Sequence, residues 1–254
     1  MNFHSGAITD MAVSDCYNMC VSCAEDGTIK LWDYVTMMPL FERKFKGRAN
    51  CLDLLKRSDV NKGRVAVVGY DSGIVRVVYF TETSIELGIV QKAADAPIVK
   101  IKYAPSQNML VTASINGEVF FFEVSGQADL HKFEPVCMVQ IPDKVSVTDL
   151  KWDNTSTKVL ISADNGRVYE IARPNPASIN NKETYLQEDY PIRSWQMKMM
   201  EFQMKKNQKK DEEEEERKRR ARLRGELKDE EQEQDEDWDP ECITAVTYTN
   251  DKSG

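Results

Sequence analysis

Hydrophobic and polar residues alternate along Val-Ser-Cys-Ala-Glu-Asp-Gly-Thr-Ile-Lys-Leu-Trp-Asp-Tyr, residues 21–34. Thr28, Lys30 and Trp32 fall on one side of an extended chain, Ile29 and Leu31 on the other. At its centre Asp26-Gly27 predicts a tight hairpin turn, because both residues tolerate positive φ. The same device returns at Asp71-Ser72-Gly73-Ile74-Val75, at Asn116-Gly117-Glu118-Val119 and at Asn165-Gly166-Arg167-Val168. The turn glycines Gly27, Gly73, Gly117 and Gly166 stand 46, 44 and 49 residues apart. A hairpin-based period in the forties predicts one four-stranded propeller blade per repeat.

Strands follow from the pattern in chain order. The first repeat reads as an inner strand over Ala7–Val13, a neighbour over Asn18–Cys23, a third strand closed by Trp32, and an outer strand over Met37–Phe41. Pro39 is tolerated there because an outer strand needs fewer ladder donors. The second repeat has Asn50–Leu55, a polar loop over Lys56–Arg64, then Val65–Gly69 and Ile74–Phe80. The third has Ile98–Tyr103, Met109–Ala113, Val119–Val124 and Cys137–Ile141. The fourth has Val147–Trp152, Val159–Ala163 and Val168–Ile171. Apolar runs this continuous predict sheets covered on both faces, as in stacked blades.

At Pro174 the character changes. The expected organisation is a partial propeller over 1–173, a polar linker over 174–191, a charged α-helix over 192–225, an acidic linker over 226–241 and the start of a second propeller over 242–254. On the expected helix Trp195, Met199 and Phe202 share one face, and Met197, Met200 and Met204 share nearly the opposite one. Two apolar stripes imply a helix gripped from both sides, by the propeller rim or by a partner. These six residues are the first candidates for partner contact, since Trp and Met are enriched at interface cores. Beyond them Glu213, Glu214, Glu215 and Glu216 precede Arg217, Lys218, Arg219 and Arg220 at i, i+4, the order that supports a freestanding helical rod. Glu226–Glu241 carries ten acids against one lysine. Cys242–Tyr248 then alternates like another inner strand, and the chain reads as a piece of a longer protein.

Composition narrows the chemistry. Residues 1–174 are nearly balanced, with 19 basic and 21 acidic side chains, so most of the net charge of −8 comes from the segregated remainder. No hydrophobic run approaches the roughly 18–20 residues of a membrane span, and the N-terminus lacks a signal-peptide layout. The six cysteines lie at irregular positions and fit reduced thiols inside a cell. Cys20 and Cys23 form a C-x-x-C, but on a strand they face opposite sides and cannot share a metal. His131 defaults to a loop. No phosphate loop, G-x-S-x-G or H-E-x-x-H occurs, so no catalytic residue, cofactor or metal is expected. Arg217, Arg219 and Arg220 read first as solvated charge and next as a docking patch for an acidic protein surface. Nucleic acid ranks last, because glutamates offset the charge and no aromatics interleave.

In its first repeat the chain resembles the WD-repeat β-propeller family. That family's hydrogen-bonded tetrad is matched by His4, Ser22, Asp26 and Trp32, which implies a structural lock. Later repeats depart, with Val68, Thr112 and Ile161 at the Ser position and Ser72, Asn116 and Asn165 at the Asp position. At the Trp position they have Val78, Phe122 and Ile171, so apolar packing is expected to replace the network. The fold class expected is all-β, an incomplete propeller of about four blades followed by a long charged helix and the first strand of a further propeller.

A narrower resemblance, to the WD-repeat proteins of the ciliary and flagellar axoneme, rests on the propeller, Arg193–Met204, the Glu-then-Arg stretch and Asp237-Trp238-Asp239-Pro240. It implies a non-catalytic scaffold in the tether linking an inner-arm dynein head to the doublet microtubule. The implied partners are a sister WD-repeat tether protein, the inner-arm dynein heavy chain and tubulin. The rivals are a general cytoplasmic WD-repeat adaptor, in transport or ribosome assembly, and a regulatory subunit of a larger enzyme; fold alone does not choose among them.

Overall fold

The computed structural model describes residues 3–55, 64–127, 130–142, 145–176, 185–187 and 189–196. They form four antiparallel sheets of four strands, each a meander in chain order. The first blade is β1 (Ile8–Val13), β2 (Met19–Ala24), β3 (Thr28–Asp33) and β4 (Met38–Lys44). The second is β5 (Ala49–Leu54), β6 (Val65–Tyr70), β7 (Ile74–Phe80) and β8 (Ile85–Lys92). The third is β9 (Ile98–Ala104), β10 (Met109–Ser114), β11 (Glu118–Gln127) and β12 (Leu130–Gln140). The fourth is β13 (Val147–Trp152), β14 (Lys158–Ala163), β15 (Arg167–Ala172) and β16 (Ile192–Gln196). The first strands β1, β5, β9 and β13 contact one another in order and line the inner side of the arc.

Each β2–β3-type hairpin turns at the expected glycine. The amide of the glycine donates to the carbonyl three residues earlier, Gly27 to Ala24 and Gly73 to Tyr70 among them. Only the glycine takes positive φ, between 71° and 77° at the four turns, while Asp26, Ser72, Asn116 and Asn165 do not. The turn is therefore a type I turn closed by a left-handed glycine rather than one with two left-handed residues. At Gly73 a Cβ would stand 2.0 Å from the Ala94 carbonyl oxygen, so the position admits no side chain.

Burial explains the continuous apolar runs. All six residues of β6 and of β10 are buried, because a neighbouring blade covers each face. Between the first two blades Val21, Cys23, Ile29 and Leu31 pack on Leu52, Val68, Val78 and Phe80. Val111, Ala113, Val119 and Phe121 meet Leu150, Val159, Ile161 and Ile171 between the last two. Val68 and Val78, Thr112 and Phe122, Ile161 and Ile171, which replace the first blade's Ser22 and Trp32, are all buried.

Three sequence expectations change. Ile192–Gln196 is a strand, not the first turns of a helix: Ile171 pairs with Ile192, Glu170 with Arg193 and Val168 with Trp195. Without this strand β15 would expose a row of backbone groups, and pairing overrides a local preference for helix. The rest of the expected helix, the acidic linker and residues 242–254 lie outside the described residues. The linker, in turn, is partly ordered against the third blade. The Met138 amide donates to the Tyr185 carbonyl (2.7 Å) and the Gln187 amide to the Met138 carbonyl (2.9 Å), while the Tyr185 ring meets Phe120. Finally, His131 lies on β12, buried and stacked on Tyr79 at 5.8 Å, not in a loop. The strand begins at Leu130 in a stretch where Gln127, His131, Lys132 and Glu134 interrupt the apolar residues.

Candidate functional site

The first blade brings His4, Ser22, Asp26 and Trp32 together on its outward face. β2 and β3 pair Ser22 with Lys30 and Cys20 with Trp32, so Ser22, Lys30 and Trp32 share that face. His4 lies over them in the segment before β1, its side chain 2% exposed. Trp32 Nε1 donates to Ser22 Oγ at 2.8 Å, and Ser22 Oγ stands 2.7 Å from His4 Nε2. On the other side His4 Nδ1 meets Thr28 Oγ1 at 2.5 Å, and Thr28 Oγ1 donates to Asp26 Oδ1 at 2.6 Å.

Proton counting fixes the direction of this chain. The carboxylate only accepts, so the Thr28 hydroxyl spends its one proton on Asp26 and accepts from His4 Nδ1–H. Neutral His4 then accepts at Nε2 from Ser22, whose oxygen accepts from Trp32. Every donor is used once, which is the condition for a buried polar network to stabilise. Asp26 does not bond His4 directly, since their nearest atoms are 4.0 Å apart. Thr28 is the member that the sequence comparison missed. Its signal was present, a hydroxyl two residues after the turn Asp, where an Asx-type bond is favoured.

Asp26 accepts three further bonds, from Ser5 N (2.8 Å), Ser5 Oγ (2.6 Å) and Thr28 N (2.9 Å). Burial raises its pKa, but the hydrogen bonds from Ser5 and Thr28 outweigh burial and hold the carboxyl well below the usual carboxylate range. For His4 burial dominates and lowers the pKa, against the attraction of Asp26. Lys30, only 3% exposed on the same face, is neutralised by Glu42 at 2.5 Å.

The other thiols and candidates are dispersed. Cys23 faces the second blade, and burial pushes its thiol up to about 11; burial likewise pushes Cys137 up to about 12. Cys20 pairs with Trp32 on the opposite face of β2. Among the described residues no group of three or more His, Cys, Asp or Glu side chains is placed to hold a metal ion. Trp195 is 43% exposed on β16, beside the Lys158–Glu170–Arg193 ion cluster. Met197, Met199, Met200, Phe202, Met204, Arg217, Arg219 and Arg220 lie outside the described residues. The arrangement of the first blade ties β2, β3 and the segment before β1 together, and the Lys30–Glu42 pair adds β4.

Comparison with known proteins agrees with this geometry. Residues 1–33 match the family model described as WD domain, G-beta repeat. The chain is 26% identical over 199 residues to mouse (Mus musculus) cilia- and flagella-associated protein 44, covering 71% of this chain and 10% of that one. It is 25% identical over 187 residues to the Trypanosoma brucei brucei protein of the same name, covering 73% and 10%. The chain thus spans about a tenth of the length of the curated relatives it matches. The crystal structure of Chaetomium thermophilum Raptor shares the fold, with a TM-score of 0.58 at 15% identity over 76% of this chain and 17% of that one. The fold is that of four β-propeller-type blades, the first repeat matches the WD domain, G-beta repeat model, and the chain is similar to cilia- and flagella-associated protein 44.

Proposed function

We propose that this protein is a non-catalytic WD-repeat scaffold of the ciliary or flagellar axoneme, part of the tether that links inner-arm dynein to the doublet microtubule and restrains its motion. The observation that carries the reading is the similarity to cilia- and flagella-associated protein 44, which extends beyond the WD-matched first 33 residues to about 70% of the chain. The first-blade network supports a structural rather than a chemical role, because each polar member is consumed in holding strands. Trp195, exposed on the rim, is the described residue best suited to anchor a partner; the basic residues Arg217, Arg219 and Arg220 suit an acidic one such as tubulin. The partners are a sister WD-repeat tether protein, an inner-arm dynein heavy chain and tubulin, in a hetero-complex without nucleic acid or membrane. The test is localisation of the tagged full-length protein in ciliated or flagellated cells, with affinity purification from detergent-extracted axonemes. Signal along the axoneme with dynein heavy chain in the eluate is expected. A diffuse or nuclear signal, absent from axonemes, overturns the reading in favour of a general cytoplasmic adaptor.

A further inference from the structure

The first and second blades carry a cation at the same place. Lys30 and Arg76 each stand three residues after a turn glycine, Gly27 and Gly73. Lys30 pairs across β3–β4 with Glu42, and the two side chains form the ion pair already described. Arg76 pairs across β7–β8 with Val90. Residues paired across an antiparallel ladder project to one face. The second blade therefore puts an apolar side chain where the first puts a carboxylate. No ion pair joins Arg76 to any other described residue.

Half-buried Arg76 reaches into the cleft between these two blades. Its guanidinium carbon lies 4.0 Å from the Tyr70 ring centroid and 5.8 Å from that of Phe45, in the connection between β4 and β5. Tyr70 is fully buried in the apolar layer between the blades, and Phe45 packs against that layer. Two buried polar atoms in the cleft, Arg76 Nη1 and Tyr70 Oη, have no hydrogen-bond partner among the described residues. The rings attract the cation but accept none of its in-plane N–H bonds. Leaving buried donors without an acceptor costs free energy, most of all for a charged group. Burial pushes the Tyr70 hydroxyl up to about 12 against the opposing Arg76 charge, so it keeps a proton to donate. Further positive charge lies close by. Arg43 stands over the same Phe45 ring at 5.2 Å, its Nη1 donating to the Ile85 carbonyl (2.7 Å), with Lys44 and Lys46 exposed beside it. The cleft opens at the outer strand, where Val90 and Leu87, on the face that carries Arg76, are 50% and 39% exposed.

We propose that this cleft binds a carboxylate, an Asp or Glu side chain presented by a partner protein. Arg76 is its ion-pair partner, Tyr70 a hydroxyl donor, and Leu87 and Val90 the apolar rim. A carboxylate is what the chain itself supplies to the equivalent cation, in Glu42 beside Lys30. The guanidinium fork matches the two carboxylate oxygens and gives the unpaired donors their acceptor. Arg43, Lys44 and Lys46 add the positive potential that draws an acidic segment to the rim. The chemistry of the site holds whichever protein brings the acid, axonemal or not.

Fluorescence anisotropy of a labelled hexaglutamate peptide with the full chain tests this, with hexaglutamine as the neutral probe. Saturable binding of the first and none of the second is expected. Arg76→Gln should weaken that binding about fivefold or more at constant ionic strength. Lys44→Gln with Lys46→Gln, on the exposed rim, should change it by only about twofold. Val90→Glu places a carboxylate in the chain at the register position of Glu42. Relative to Val90→Gln it should block the peptide and raise the melting temperature by about 2–4 °C. That thermal gain should vanish when Arg76→Gln is added. Val90→Glu also serves if Arg76→Gln fails to fold, since it removes nothing buried. Three results overturn the assignment. One is equal affinity of wild type and Arg76→Gln. Another is a Val90→Glu chain no more stable than Val90→Gln and still able to bind the peptide. The third is displacement of the peptide more readily by inorganic phosphate than by acetate, which gives the cleft to phosphate instead.

Discussion

Replacing Asp26 by alanine removes the acceptor on which the first-blade hydrogen-bond chain ends. Four bonds are lost, two from Ser5 and two from Thr28, at 2.6–2.9 Å. A buried bond to a charged group is worth about 1.5–3 kcal/mol, but the Ser5 donors lie at the surface and recover water. The Thr28 hydroxyl does not escape so easily, because it must still accept from His4 Nδ1–H while its own proton has no acceptor. We expect a net loss of about 1–3 kcal/mol. At about 2–4 °C per kcal/mol for a domain of this size, the melting temperature falls by about 2–12 °C. The first blade packs mainly on the second, so the loss concentrates there. Thermal melts should be read together with exchange of β1–β4 amides, and Asp26→Asn, which keeps one acceptor oxygen, should show about half the effect. Melting and β1–β4 exchange indistinguishable from wild type would refute the wire and with it the deduced protonation of His4.

Further expectations follow from particular residues. His4 has a pKa below its unfolded value near 6.5, so at mildly acidic pH the unfolded chain binds the extra proton. Stability is then lost as pH falls through about 6.5; melts between pH 5 and 8 should show this slope, and His4→Gln should flatten it. Asp26 has the opposite origin and the same sign, its contribution holding above its unfolded pKa and fading only at acid pH below about 4. Gly73→Ala, at φ +72° with the Ala94 carbonyl oxygen 2.0 Å from the added Cβ, should cost at least about 1–2 kcal/mol from handedness alone. A denaturant midpoint within error of wild type would contradict the turn geometry. Trp195→Ala on the exposed rim should leave the melting temperature within about 2–4 °C, equivalent to less than about 1 kcal/mol. The same variant should weaken co-purification of axonemal partners, and undiminished recovery would remove Trp195 from the contact.

The repeat and its hairpins could be read from the chain because they rest on short-range relations, whereas His4, Ser22, Asp26 and Trp32 were placed together by the family resemblance. A turn glycine fixes the residues a few positions to either side, and period-2 alternation then assigns each to a face. Thus Ser22, Asp26 and Trp32 stand at constant offsets from Gly27, and the later blades keep the offsets, with buried Val78, Phe122 and Ile171 at the Trp position and polar Ser72, Asn116 and Asn165 at the turn. What depended on partners without an intervening turn signal could not be read this way. Ile192–Gln196 becomes a strand only because β15 presents an unpaired ladder 20 or so residues upstream (Ile171 to Ile192), and nothing local in Trp195 announces it. His131 is buried because β12 continues beside β11 through a polar stretch. Thr28 enters the hydrogen-bond chain because His4, 24 residues away, is folded back onto β3. Local sequence sets where the backbone reverses and which side chains share a face; docking of distant segments decides which backbone groups remain to be satisfied, and so what the intervening residues must become.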